Sequence, residues 1–314
     1  MSEPRFLVTG AYGCIGAWVV HELLADGHPV VTFDLSTDPR RLRLLLDEEV
    51  VAAIPHVAGD ISDLDTVERA LDEHEVTNVI HLAALQVPFC RADPPLGARV
   101  NVLGTVNVFE AAARRPQLVP LVYASSIAAF DAAGAMTGAP GTIYGVYKRA
   151  NEQTAAVYHA ESGVSSTGLR PHTVYGVGRD QGVTSAPTTA MLAVAAGTAY
   201  TIPYGGAAQL QLARDVARAF IGASLAGHEG ATVHNLPGRP VPIAEVVAAL
   251  DTGAIGFDDG VRLPFPEEVD AESFAASFPD FAETPLAEGV AATVGRFRAL
   301  LAEGLVQPPE EGAR

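Results

Sequence analysis

Residues 6–34 read FLVTGAYGCIGAWVVHELLADGHPVVTFD. Phe6, Leu7 and Val8 form a short continuous apolar run, the pattern of a strand buried on both faces. The run ends in a turn carrying Gly10, Gly13 and Gly16. Residues 14–26 then place apolar side chains at helical spacing and stop at Gly27, and residues 30–33 (VVTF) start a second strand that ends at Asp34. Glycine in such a turn lets the backbone approach a pyrophosphate, and the helix behind it offers free N–H groups and a positive dipole end. Asp34, at the end of the next strand, is placed to accept two hydrogen bonds from a ribose diol and to repel a 2′-phosphate. That favours NAD over NADP. The plain alternative is that Asp34 only caps a turn, and Arg40 and Arg41 a few residues on would soften the preference.

The alternation continues outward. Residues 76–83, 118–123 and 164–169 read as further buried strands, with helical patterns at about 63–74, 96–115 and 144–162. Such alternation predicts an α/β fold: a Rossmann-type, doubly wound parallel sheet covered by helices on both faces. Beyond Arg170 the pattern loosens, with helices expected at 186–196, 214–226 and 285–303, a strand at 231–236, and a turn then a helix after it. The reading is an NAD-binding Rossmann domain over 1–170, with a segment near 231–251 returning to it. Residues 171–314 make mostly a smaller C-terminal substrate-binding lobe. No internal repeat is evident, and the closing PPEEGAR is expected to fray.

The chain has 314 residues, 48% of them hydrophobic, enough to bury a sizeable core. Its 20 Lys and Arg against 37 Asp and Glu give a formal charge of −17. An anionic surface repels nucleic acid and anionic lipid, so neither is expected as a partner, and an anionic ligand must be met by local donors. Cys14 and Cys90 cannot build a disulfide framework, and no Cys/His spacing of a metal site occurs. The N-terminus lacks a secretory pattern, and apolar stretches stop well short of the roughly 20 residues a membrane helix needs. A cytoplasmic protein acting on a small molecule is the expectation.

Tyr144 and Lys148 are four residues apart on a predicted helix and therefore share a face. A phenol ionises near ~10. A neighbouring ammonium stabilises the phenolate and an oxidised nicotinamide adds positive charge, so together they are expected to bring the pKa toward the working range. The turn spacing GxxGxxG together with YGVYK at 144–148 resembles the extended branch of the short-chain dehydrogenase/reductase superfamily, the NAD-dependent epimerase/dehydratase family. GDI at 59–61, HLAA at 81–84, Asn101, YASS at 123–126 and RPHTVYG at 170–176 fit the same pattern. The resemblance implies cofactor contacts from Gly10, Tyr12, Gly13, Cys14, Ile15, Gly16, Asp34, Asp60 and Ile61. Further contacts are implied from Leu82, Ala83, Ala84, Asn101, Tyr144, Lys148 and Pro171. It implies a catalytic trio of Ser126, Tyr144 and Lys148. Ser126 is placed by counting back from Phe130, with Ser125 as fallback, and Tyr147 is the alternative phenol. It also implies a homodimer in which helices near 96–115 and 144–162 pack against their copies.

Departures from the family narrow the chemistry. Its sugar-nucleotide dehydratases carry an acidic pair where this chain has Ile127 and Ala128, so water elimination lacks a proton donor. Thr173 stands where nucleotide-sugar enzymes usually carry Asn, and Ala208 where an arginine often holds the diphosphate. Each charge-assisted bond so lost is worth roughly 1.5–3 kcal/mol. The expected substrate is accordingly a sugar, sugar acid or polyol. Its candidate contacts are Ser125, Ser126, His172, Thr173, Arg179, Thr184 and Ser185, with Gln209 and Gln211 bordering. Arg179 would pair with a carboxylate; the alternative is that its loop only makes turns. His81 and His172 are not expected to act as bases, and Cys90 has no assigned role. Three functions follow from these features: an NAD-dependent oxidoreductase, an NAD-retaining sugar or nucleotide-sugar epimerase, and a non-catalytic NAD-binding regulator.

Overall fold

The computed structural model describes residues 3–116, 118, 121–250 and 252–309. Its strands are β1 (Phe6–Thr9), β2 (Val30–Asp34), β3 (His56–Ala58), β4 (Asn78–His81), β5 (Leu121–Ala124), β6 (Ser166–Arg170), β7 (Thr173–Tyr175), β8 (Tyr200–Ile202), β9 (Ala207–Leu212), β10 (Ala231–Asn235), β11 (Pro240–Pro242) and β12 (Ile255–Phe257). Among the described residues, seven of them form one parallel sheet in the order β10-β6-β5-β4-β1-β2-β3. The order reverses between β1 and β4, and a ligand crevice opens beyond the C-terminal ends of strands at such a switch point.

Both faces of this sheet are covered, which explains the unbroken apolar strands. Phe6 and Val8 pack on one side with Val19, Leu23 and Phe220; Leu7 and Phe33 pack on the other with Ile61, Val67 and Phe109. Two short sheets, β11-β9-β7 and β12-β8, belong to the second lobe. Its own core gathers Tyr175, Met191, Ile202, Ile243 and Phe297.

Several expectations are corrected in detail. Helix 96–115 is three pieces: Pro94–Ala98, a π-helical turn over Arg99–Leu103, and Gly104–Ala113. The returning segment is not all of 231–251. β10 joins the central sheet, whereas Ile243–Leu250 turns its apolar face into the second core. Conversely, helix Ala213–Ala226 packs under the first sheet against helix Cys14–Ala25. β5 begins at Leu121; residues 119 and 120 of the expected strand, and residues 310–314 of PPEEGAR, lie outside the described residues.

Candidate active site

The glycine turn is shaped by close approach. Gly10 has φ +66°, and a Cβ there would lie 2.7 Å from the Ala83 backbone nitrogen, so only glycine lets the turn lie on the exit of β4. Helix Cys14–Ala25 starts at Gly13 with no side-chain cap, leaving its first N–H groups for a ligand. From this turn a cavity of about 470 Å³ runs past Tyr12 and Asp34 to Asp60, Ile61 and Ala83. Asp34 accepts from the Tyr12 and Ser36 backbone nitrogens at 2.9 and 3.0 Å, which fixes its carboxylate on the cavity wall. The Asp60 carboxylate is oriented by Ser62 and Arg99. An elongated cleft, an uncapped helix start at its middle and an acid at its far end fit an adenine dinucleotide with a free ribose diol. Arg40 and Arg41, which were to soften that preference, are both paired with Asp180.

A second cavity of about 190 Å³ adjoins the first through Gly10, Gly13, Cys14, Leu82 and Ala84. Ile15, Gly16, Ser126, Tyr144, Lys148 and Pro171 line it. Helix Ile143–Ser162 is started by Thr142, whose hydroxyl accepts from the Gly145 nitrogen at 3.0 Å. A Cβ at Gly145 would come within 2.0 Å of the Ala128 carbonyl oxygen. Glycine there lets the helix seat directly on the turn that follows Ser126, bringing the phenol of Tyr144 to the Ser126 hydroxyl. Ser126 Oγ also accepts from the Ala128 nitrogen at 3.1 Å. Tyr147 faces away and donates to the Pro94 carbonyl at 2.8 Å, which removes it as the alternative phenol.

Before a cofactor adds its charge, burial dominates the electrostatics of the phenol. Burial pushes Tyr144 up to about 12, while Ser126 and the charge of Arg179 pull it down. Lys148 does not offset the burial. Its Nζ donates to the Ala124 carbonyl at 2.6 Å and lies 5.6 Å from the Tyr144 ring centre. Burial brings Lys148 itself down to about 8, opposed by Cys90 and Glu152. Without a bound cofactor the phenol therefore keeps its proton at neutral pH.

Other candidates divide by what already holds them. Ser125 lines the pocket beside Ser126, but it donates its hydroxyl to Glu152, which two 2.6 Å bonds from Arg170 also hold, a scaffold arrangement that Ser126 lacks. Asn101 lines neither cavity; in the π-helical turn its amide bonds both the nitrogen and the oxygen of Leu85 and positions the loop after β4. Ser185 donates to the Gly182 carbonyl and lies outside both cavities. Gln209 and Gln211 are buried and tie together loop carbonyls at Gly238, Val269, Leu236 and Pro237, so they do not border the catalytic pocket. His172 and Thr173 line the pocket as wall: the His172 ring bonds the Pro266 carbonyl and the Thr173 hydroxyl, and burial lowers it to about 4. His81, between Thr9 and Thr105, is lowered by burial to about 3. Neither ring is charged at neutral pH.

Arg179 lines both cavities, donates to the Thr184 hydroxyl at 2.9 Å, and has a buried Nε with no partner. Gln86 lines both as well and buries an unpartnered Oε1. Sequence reading passed over Gln86, although its place just beyond HLAA was the available signal. It also passed over Phe265, which the remote tail brings to the pocket and which carried no signal.

A switch-point cleft for a dinucleotide, with a Tyr–Lys pair and a serine at its inner end, defines a short-chain dehydrogenase/reductase of the extended type. A model of the NAD dependent epimerase/dehydratase family matches residues 6–235, and the chain belongs to that family. A UDP-glucose 4-epimerase of Mycolicibacterium smegmatis is 35% identical over 185 residues, 56% of this chain and 58% of that protein. UDP-glucuronate 4-epimerase 2 of Arabidopsis thaliana is 32% identical over 183 residues, 54% of this chain and 42% of that protein. The match thus spans about half the length of these curated relatives. The structure of Thermus thermophilus UDP-glucose 4-epimerase in complex with NAD superposes with a TM-score of 0.78 at 26% identity, covering 94% of this chain and 99% of the other. A partial consensus L-threonine 3-dehydrogenase shares the fold, with a TM-score of 0.81 at 23% identity over 94% of this chain and 100% of the other.

Proposed function

We propose that the chain is an NAD-dependent oxidoreductase that moves a hydride between NAD and a hydroxyl or ketone carbon of a small polar substrate. The observation that carries this reading is the convergence of Tyr144, Ser126 and Lys148 on a pocket of about 190 Å³ that opens into the dinucleotide cleft. NAD, when bound, supplies the hydride acceptor and a positively charged ring. Lys148 is placed to hold the cofactor's ribose. Ser126 orients the substrate oxygen. Tyr144 takes the hydroxyl proton as the hydride leaves the same carbon, and in reverse returns a proton to the alkoxide.

The pocket's lining supports a sugar, sugar acid or polyol. Ile127 and Ala128 give no acid for elimination. Ala208 is fully buried in β9, so that strand offers no clamp for a diphosphate. Arg179, with its unpartnered Nε, is the guanidinium lining the pocket, and it suits a carboxylate on a sugar acid. The likeness to UDP-sugar 4-epimerases favours a second reading, an epimerase that retains its NAD. Screening sugars, sugar acids, polyols and UDP-sugars separates the two. Net formation of reduced nicotinamide supports the oxidoreductase. An epimeric product with no net reduction supports the epimerase, and neither, despite NAD binding, leaves the regulator.

A cytoplasmic homodimer completes the proposal. Among the described residues no helix is long and apolar enough to cross a membrane. Leu103, Ile143, Val146 and Val157 are large apolar residues left exposed on the helices that the family likeness assigns to the interface.

A further inference from the structure

Arg40 and Arg41 follow β2 and would ordinarily offer two cations to whatever sits beyond Asp34. The second lobe takes both. Arg40 Nη2 donates to Asp180 Oδ2 at 2.8 Å, and Arg41 Nη2 donates to Asp180 Oδ1 at 2.6 Å. Arg41 is fixed further by bonds to the Gly178 carbonyl at 3.1 Å and the Tyr12 carbonyl at 2.9 Å, and its side chain is 13% exposed. Arg41 and Asp180 line the same cavity as Asp34, Leu35 and Ser36, where the adenosine ribose belongs. The loop from Gly178 to Gly182 thus reaches across the cleft and places a carboxylate on the two arginines that follow β2.

We propose that Asp180 is a determinant of cofactor selection: by holding Arg40 and Arg41 it withholds the cations that a 2′-phosphate requires. This rests on the NAD-dependent reading above. Asp34 alone repels a 2′-phosphate but leaves two neighbouring arginines able to offset it. Asp180 removes that offset. Of the two, Arg40 is the more exposed, with Asp180 as its partner among the described residues, so it is the cation that removal of Asp180 sets free.

The test is calorimetric binding of NAD and NADP to the whole chain at low ionic strength, comparing wild type, D180N, D34S, D34S/D180N and D180N/R40A. The account expects D180N to bind NADP about ten-fold tighter than wild type, the gain of one charge-assisted bond, with its NAD affinity unchanged within about three-fold. R40A should cancel that gain, and in the double variant the gain should exceed the product of the D34S and D180N effects. Two results overturn the proposal while NAD binding by wild type leaves the functional reading intact: NADP affinity untouched in D180N, or NAD and NADP weakened together, which would make Asp180 a strap across the cleft. Failure of wild type to bind NAD would sink both. The thermal midpoint of D180N without ligand, expected within a few degrees of wild type because the Arg40 pair is exposed and the Gly178 and Tyr12 carbonyls still hold Arg41, checks that the variant is folded.

Discussion

Two adjacent serines offer a sharp separation of scaffold from catalysis. Ser125 is buried and donates to Glu152, a carboxylate only 7% exposed that also takes two bonds from Arg170. Replacing Ser125 by Ala removes one charged hydrogen bond from a buried anion, a loss of about 1.5–3 kcal/mol. Unfolding entropy is roughly 2.1 cal/mol/K per residue. Over 314 residues that gives about 0.66 kcal/mol/K, so the thermal midpoint should fall by about 2–5 °C. Activity should stay within about ten-fold, because Arg170 still holds Glu152 in place. Ser126→Ala differs in kind. It removes the acceptor for the Ala128 nitrogen, costing about 1 kcal/mol and under about 2 °C, but it also removes the hydroxyl facing Tyr144 in the pocket. Loss of such a preorganised hydroxyl should lower kcat by about 10²–10³. Differential scanning calorimetry and steady-state kinetics on both variants read the two effects separately. If S125A loses activity as deeply as that and S126A stays within a few-fold of wild type, the assignment of the catalytic hydroxyl is wrong.

Three further expectations follow from the charges and surfaces. Burial resists ionisation of Glu22, yet bonds from His21, Arg218 and Arg214 hold it down to about 2. Its contribution to stability is therefore present above about pH 4.5 and lost as pH falls toward 2; the thermal midpoint of E22Q should lie below wild type at neutral pH and the gap should close across that window. Arg179→Met removes a charge that favours ionisation of Tyr144, so the acid limb of the kcat/KM profile should move to higher pH, and an unmoved limb would place Arg179 outside that coupling. Val157→Glu puts a charge on the exposed apolar stripe of helix Ile143–Ser162 and should shift the sedimentation coefficient from that of the proposed dimer to that of a monomer with NAD binding retained.

The fold was legible because its signals are local. The apolar run at Phe6, the glycine turn and Asp34 lie within one βαβ unit, and Tyr144 and Lys148 lie on one helix, so spacing alone puts them together. Gly145 allowed the helix to seat on the Ser126 turn, but that close approach is a tertiary fact that the motif carries without displaying. What stayed hidden is long-range. Nothing near Arg41 announces that Asp180 will bind it, and nothing in the tail announces that the Pro266 carbonyl will occupy His172 or that Phe265 will wall the pocket. The misplaced residues have the same origin. Ser185, Gln209 and Gln211 carry polar groups that suit a ligand equally well, and only the fold shows that backbone carbonyls already claim them. Burial of the Tyr144 phenol was hidden too, because residue spacing reports which groups are neighbours but not how much water the fold removes.

The central claim is that Tyr144 carries the proton while the dinucleotide carries the hydride. Single-turnover formation of reduced nicotinamide, with NAD saturating and an active substrate from the screen, measures this for wild type and Tyr144→Phe side by side. The account predicts that Y144F binds NAD with unchanged affinity and reduces it about 10²–10⁴ times more slowly. Reduction by Y144F within a few-fold of wild type would contradict it.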